Sequence, residues 1–111
     1  MDTLRQLKKG LTTLIVLDAL ARAPRYAYDL RRETFRRTCG AFQFSEGALY
    51  PLLHSLERKR WVKSTRRHVA RRERRYYTIT PAGRLALAQL RHDWHLLARA
   101  LRRLTMKHPR S

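Results

Sequence analysis

The apolar residues of this chain change their period partway along it, and that change limits the folds open to it. As far as Leu56 they recur every three or four residues, the spacing of amphipathic helices. Between Trp61 and Ile79, aromatic and β-branched residues gather in short runs, as they do in strands. From Pro81 to about Met106 the helical period returns. The order is helix, helix, helix, hairpin, helix: mainly α with a small β-hairpin, a winged helix-turn-helix plus a C-terminal helix.

Leu4, Leu7, Leu11, Leu14, Ile15 and Leu20 define a first helix over Leu4 to Ala23, stopped by Pro24. A second runs from Tyr26 to about Arg37, with Tyr28, Leu30, Thr34 and Phe35 as candidates for its inner face. Thr38 to Phe44, which contains Gly40, reads as a loop. Ser45 offers an N-cap hydroxyl to a third helix reaching about Lys59, with Leu49, Leu52, Leu53 and Leu56 as its inner stripe. Trp61 to Arg66 and Arg74 to Ile79 are the expected strands, joined by a polar loop from Arg67 to Glu73. Thr80-Pro81, a cap residue followed by proline at the first helical position, starts the last helix.

Charge decides the partner. The 111 residues hold 26 Lys and Arg against 8 Asp and Glu, a net charge of +18. Hydrophobic residues at 43% are too many for a disordered tail, so the chain is expected to fold. The longest apolar run, Leu11 to Leu17, is far short of the ~20 residues of a membrane span, and no secretory leader pattern stands at Met1. The single Cys39 excludes an internal disulfide and every cysteine-based zinc pattern. A cytoplasmic protein with an anionic partner is expected, without a cofactor or bound metal. No phosphate loop, carboxylate pair or nucleophile-base constellation is present, so an enzyme is not expected.

Ten basic residues lie between Arg58 and Arg75, with Glu73 as the one acid, so this stretch carries +9. Like charges gathered this densely repel one another unless an anion approaches. Arginine's planar fork suits phosphates and guanine edges. With the leucine stripe inward, the third helix turns Gly47, Ala48, Tyr50, Pro51, His54, Ser55 and Arg58 outward. Double-stranded DNA is the expected partner, touched by Tyr26, Ser45, Gly47, Ala48, Tyr50, Pro51, His54, Arg58, Arg66, Arg67, Arg71, Arg72, Arg74 and Tyr76. For Tyr50, packing against the wing is an equal alternative. The rival class is a non-specific nucleoid or RNA-binding protein. A third, ranked last, is an adaptor whose basic wing meets an acidic protein.

In the last helix Leu87, Leu90, Trp94, Leu97, Leu101 and Leu104 alternate spacings of three and four, a heptad seam. A seam this narrow calls for a partner helix, most simply its own copy in a homodimer. Leu4, Leu7 and Leu11 on helix one extend the expected interface. The alternative is an intramolecular groove against helix one. On this reading residues 1–80 form the DNA-binding domain and 81–111 the dimerisation helix and a short tail, in one continuous compact unit. His92 and His95, three apart, read as surface residues rather than metal ligands.

Ser45-Glu46-Gly47-Ala48-Leu49-Tyr50-Pro51-Leu52-Leu53-His54-Ser55-Leu56-Glu57-Arg58 resembles the signature helix of the PadR family of transcriptional regulators. Tyr26-Ala27-Tyr28-Asp29-Leu30 resembles its second-helix motif, and Arg75 to Gly83 its second wing strand and last helix start. The resemblance implies a dimeric winged-helix repressor on a palindromic operator, released by a small molecule, in the branch with a short C-terminal segment. It also implies a pocket between subunits in which Trp94, walled by Leu90 and Leu97, stacks a flat aromatic effector. Glu46, Ala48 and Ala27 depart from the family pattern, and Glu46 reads as a cap rather than a phosphate contact. Arg60 stands where the family has glycine. A left-handed cap there costs ~1 kcal/mol, which leaves room for a different turn.

Overall fold

The computed structural model describes residues 2–106, with side chains from residue 7 onward. Its elements are α1 (Asp2–Arg22), β1 (Arg25–Tyr26), α2 (Ala27–Arg37), α3 (Glu46–Arg58), β2 (Val62–Val69), β3 (Arg72–Ile79) and α4 (Pro81–Thr105). The strands form one antiparallel sheet in the order β1-β3-β2. Three helices, a hairpin and a long last helix are therefore present in the expected order; β1 is an addition.

The core forms where the helices cross the sheet. Val16, Leu17 and Leu20 of α1, Leu30 of α2, and Leu49, Leu53 and Leu56 of α3 are sealed from solvent with Val62, Tyr77 and Leu87. Burial of such side chains contributes ~1.5–3 kcal/mol each. Two residues expected on the inner face of α2 lie elsewhere. Tyr28 and Phe35 are 56% and 44% exposed, and Ala27 and Thr34 fill the core beside Leu30 instead. A helix this short buries one narrow stripe, and the smaller residues let it approach α1.

Asp18 ties three helices together. Its carboxylate faces Arg22 on its own helix at 3.5 Å, Arg37 of α2 at 3.6 Å and Arg91 of α4 at 2.6 Å. Burial works against the charge, but the hydrogen bond from Arg91 and the charges of Arg22 and Arg91 outweigh it. The carboxyl is held below its usual range.

The turn after α3 is not altered by its missing glycine. Arg60 adopts the left-handed conformation itself, at φ 63°. Its N–H donates to the Glu57 carbonyl at 2.9 Å, and Trp61 N–H donates to the Leu56 carbonyl at 3.0 Å. These are the two bonds of a Schellman cap. The Thr80 hydroxyl donates to the Arg60 carbonyl at 2.6 Å and locks the turn against the start of α4. An Arg60→Gly variant should therefore gain about 1 kcal/mol of stability, read as a higher denaturation midpoint with an unchanged slope.

Helix α4 splits the heptad seam. Leu87 is 2% exposed within the chain's own core, so it is not available to a partner. Leu90 is half-buried against the core, and the Trp94 ring lies beside Gly10 of α1, where an added β-carbon would meet it at 3.7 Å. This half of the seam is the intramolecular groove against helix one. Further along, Leu97 is half-buried, while Leu101 and Leu104 are 48% and 81% exposed. Leu7 on α1 is exposed and Leu11 half-buried; the side chain of Leu4 lies outside the described residues. The seam correctly marks an apolar stripe, but a stripe does not say which helix covers it.

Candidate nucleic-acid interface

Helix α3 starts as its sequence dictates. The Ser45 hydroxyl accepts from Ala48 N–H at 3.1 Å, and the Ser45 carbonyl accepts from Leu49 N–H at 2.9 Å. Glu46 stands in the first turn of α3, where its charge suits the helix dipole, and Ser45 is the N-cap. Glu46 pairs with Arg31 of α2 at 3.7 Å, while Arg31 also donates to the Phe44 carbonyl at 2.9 Å. A carboxylate that would repel phosphate is thus partly neutralised by its own chain.

The outward face of α3 is formed by Gly47, Ala48, Tyr50, Pro51, His54 and Arg58, all exposed, with Ser55 half-buried. Tyr50 is 40% exposed, and Tyr77 lies buried near it, its hydroxyl pushed up by burial and by the Glu57 carboxylate. Two features of this face weaken the isolated helix. Pro51 inside α3 cannot donate a backbone bond to Gly47, and glycine in a helix costs ~0.5–1 kcal/mol against alanine. A β-carbon at Gly47 would meet only the Ser45 hydroxyl, at 3.9 Å. The protein's own packing does not need glycine there, so the surface of α3 is open at this position.

The wing differs from its sequence reading. There is no seven-residue loop: β2 and β3 continue to a two-residue turn, Ala70-Arg71, with φ of 50° and 64°. Positive φ at both positions is the type I′ turn that matches strand twist. Arg67 and Arg74 are therefore strand residues directly opposite each other, as are Arg66 and Arg75. Side chains alternate across a strand, so the two pairs lie on opposite faces of the wing. Like charges directly opposite destabilise a sheet by ~0.2–1 kcal/mol per pair. Arg71 and Arg72 are exposed at the tip. Glu73 approaches Arg66 at 3.5 Å, and Arg75 donates to the Ser64 hydroxyl at 3.0 Å, which in turn donates to Glu57 at 2.9 Å. The second relay joins the wing to α3.

Tyr26 and Tyr76 come together through β1, with ring centroids 4.9 Å apart. The Arg67 guanidinium lies 3.8 Å from the Tyr76 ring centre. Composition alone does not reveal β1, since two residues have no period. The structure also adds Lys8 and Lys9 of α1, which the sequence reading left out. With Ala48, Pro51, Ser55 and Arg58 they line a cleft of about 420 Å3. Their sequence signal was a lysine pair on the polar side of α1.

Trp94, Leu90 and Leu97 lie along α4, away from this face, and His92 and His95 are both exposed. Among the described residues, no helix is long and apolar enough to cross a membrane, and no three His, Cys, Asp or Glu side chains gather in a metal-binding group.

Comparison with known proteins places these features. Residues 16–89 match the sequence model described as the transcriptional regulator PadR-like family. Over 58 residues the chain is 47% identical to the transcriptional regulator Rv3488 of Mycobacterium tuberculosis, covering 52% of this chain and 54% of that one. Over 87 residues it is 31% identical to an uncharacterized protein of Lysinibacillus sphaericus, covering 78% and 80%. Its fold is similar to a transcriptional regulator of Clostridium thermocellum, with TM-score 0.81 and 24% identity over 96% of this chain and 100% of that one. A PadR family regulator of Eggerthella lenta gives TM-score 0.78 at 25% identity, covering 96% and 92%.

Proposed function

The chain belongs to the PadR-like family of transcriptional regulators, and is thus a DNA-binding regulator rather than an enzyme; from that premise we propose a homodimeric, sequence-specific repressor. The observation that supports this reading is the exposed face of α3 running into a wing with opposed arginines on both sides. The α3 face reads base edges in the major groove, with His54 and Tyr50 as readers, and the wing holds the backbone on either side. Residues 1–80 act as the DNA-binding unit and 81–111 as the dimerisation segment. Two copies present two recognition helices to the half-sites of a palindromic operator in the cytoplasm. A flat aromatic effector, stacked on Trp94 between Leu90 and Leu97, releases the DNA.

The interface of this dimer lies further along α4 than the heptad seam alone implies. Leu97, Leu101 and Leu104, with Leu7 and Leu11 of α1, are residues of the two helical seams that the chain leaves at least partly uncovered. A Leu101→Asp/Leu104→Asp variant should sediment as a folded monomer and lose at least tenfold in affinity for a palindromic operator, because one half-site contact replaces two. Dimers that survive both substitutions would overturn the interface.

A further inference from the structure

Beside α2 lies a groove of about 650 Å3 that the DNA-binding reading does not use. Its size falls in the range of small-molecule sites. It is lined by four arginines against two acids, and by the two aromatic rings that the core of α2 left out. The Phe35 ring is laid over Gly40, which at φ 82° has no side chain to displace it. The Tyr28 ring has the Arg32 guanidinium 5.8 Å from its centre.

The charges in the groove are not equally engaged. Glu33 holds Arg36 through two hydrogen bonds, at 3.1 and 2.8 Å, and faces Arg25 at 3.5 Å. Arg32 enters no ion pair among the described residues, and neither does Asp29 one turn away. Arg32 is thus without a salt-bridge partner among the described residues, on a helix stripe with an aromatic ring one turn to either side. Gln43 and Phe44 of the following loop also line the groove, which makes it a concavity rather than an open helix face.

We propose that this groove binds a planar aromatic anion, its ring stacked on Tyr28 and its anionic group on Arg32. The guanidinium and ring recognise the two halves of one ligand by charge and by stacking. In a ligand whose ring carries an N–H, such as an adenine base, Asp29 is placed in the same groove to accept from it. The chemistry is shared by nucleoside phosphates and fused-ring carboxylates. The site is separate from Trp94 on α4 and needs no DNA. Arg31, which also lines it, holds the start of α3 through Phe44 and Glu46.

Calorimetric titration of the full chain with AMP and with 2-naphthoate tests this without DNA. One or both should bind saturably, one per chain, and neutral adenosine or 2-naphthol at least tenfold more weakly. AMP alone identifies a nucleotide site, naphthoate alone a carboxylate site. Tyr28→Ala and Arg32→Gln, both at exposed positions, should each weaken binding at least tenfold, whereas Arg71→Gln/Arg72→Gln on the wing should leave it unchanged. Four results would overturn the proposal: no binding by either probe, equal binding by the Tyr28 and Arg32 variants, loss in the wing variant, or equal competition by inorganic phosphate.

Discussion

A Gly83→Ala variant should be destabilised by about 3 kcal/mol, at the upper end of overpacking costs. For a domain of this size that lowers the melting temperature by roughly 12 to 24 °C. Helix propensity alone gives the opposite sign, since alanine is favoured over glycine inside a helix by ~1 kcal/mol. Packing decides. Gly83 is buried in the first turn of α4, where a β-carbon would run into the Trp61 carbonyl oxygen, 2.9 Å from its carbon and 2.8 Å from Ile79 Cγ1. The obstacle is backbone, and it cannot swing aside. The Trp61 carbonyl accepts from Thr80 N–H at 3.0 Å, and Trp61 N–H closes the cap of α3. Thermal denaturation followed by circular dichroism measures the effect, and a change of only a few degrees would show that α4 can slide off the turn.

Replacing Arg67 and Arg74 by glutamine should separate folding from binding. The two residues stand opposite each other across β2 and β3, the Arg67 guanidinium lies over the Tyr76 ring, and Arg74 Nε is buried without a hydrogen-bond partner. Removing them relieves repulsion but also removes the stack of Arg67 on Tyr76, so stability should stay within about 1 kcal/mol of the parent. DNA affinity should fall by about a hundredfold, counting ~1.5 kcal/mol for each lost charge-assisted bond. The slope of log affinity against log salt should shrink by about 1.8, at ~0.9 for each phosphate released. On the proposed function, the repulsion between these residues is offset when phosphates bind them. Unchanged DNA affinity at parent stability would leave the opposed pairs without that explanation.

These two sites also show what the sequence makes visible. Ser45, the leucine stripe of α3 and Thr80-Pro81 announce their structures because capping and helical period are local properties. The wing tip is not legible because six of the seven residues expected to form a loop are polar or alanine, and its turn is Ala70-Arg71 rather than the usual Asn-Gly. Nothing local signals a type I′ turn there; the sheet imposes it. Leu87 and Leu104 share one seam and one residue type, yet one is in the core and the other in solvent. What separates them is where α1 stops covering α4, a property of the assembled fold. The same holds for Gly83, whose need for glycine comes from a carbonyl twenty-two residues earlier.

Most of the outward face of α3 was legible, because helical geometry fixes which residues oppose a buried stripe. Lys8 and Lys9 were not, since their approach to that face depends on how α1 crosses α3. The +18 net charge is therefore placed rather than spread. Part of it lines the α1–α3 cleft, part joins α1, α2 and α4 around Asp18, and half stands on the end of α3 and the wing.

The central claim is that α3 reads sequence while the wing supplies affinity. A gel-shift titration of the DNA upstream of the protein's own gene against the same DNA scrambled, at ~0.15 M salt, tests it most directly. The account predicts binding to the upstream duplex at least a thousandfold tighter, the lower end of the usual specificity ratio. Equal affinity for the two duplexes would contradict it and leave a non-specific basic nucleic-acid binder.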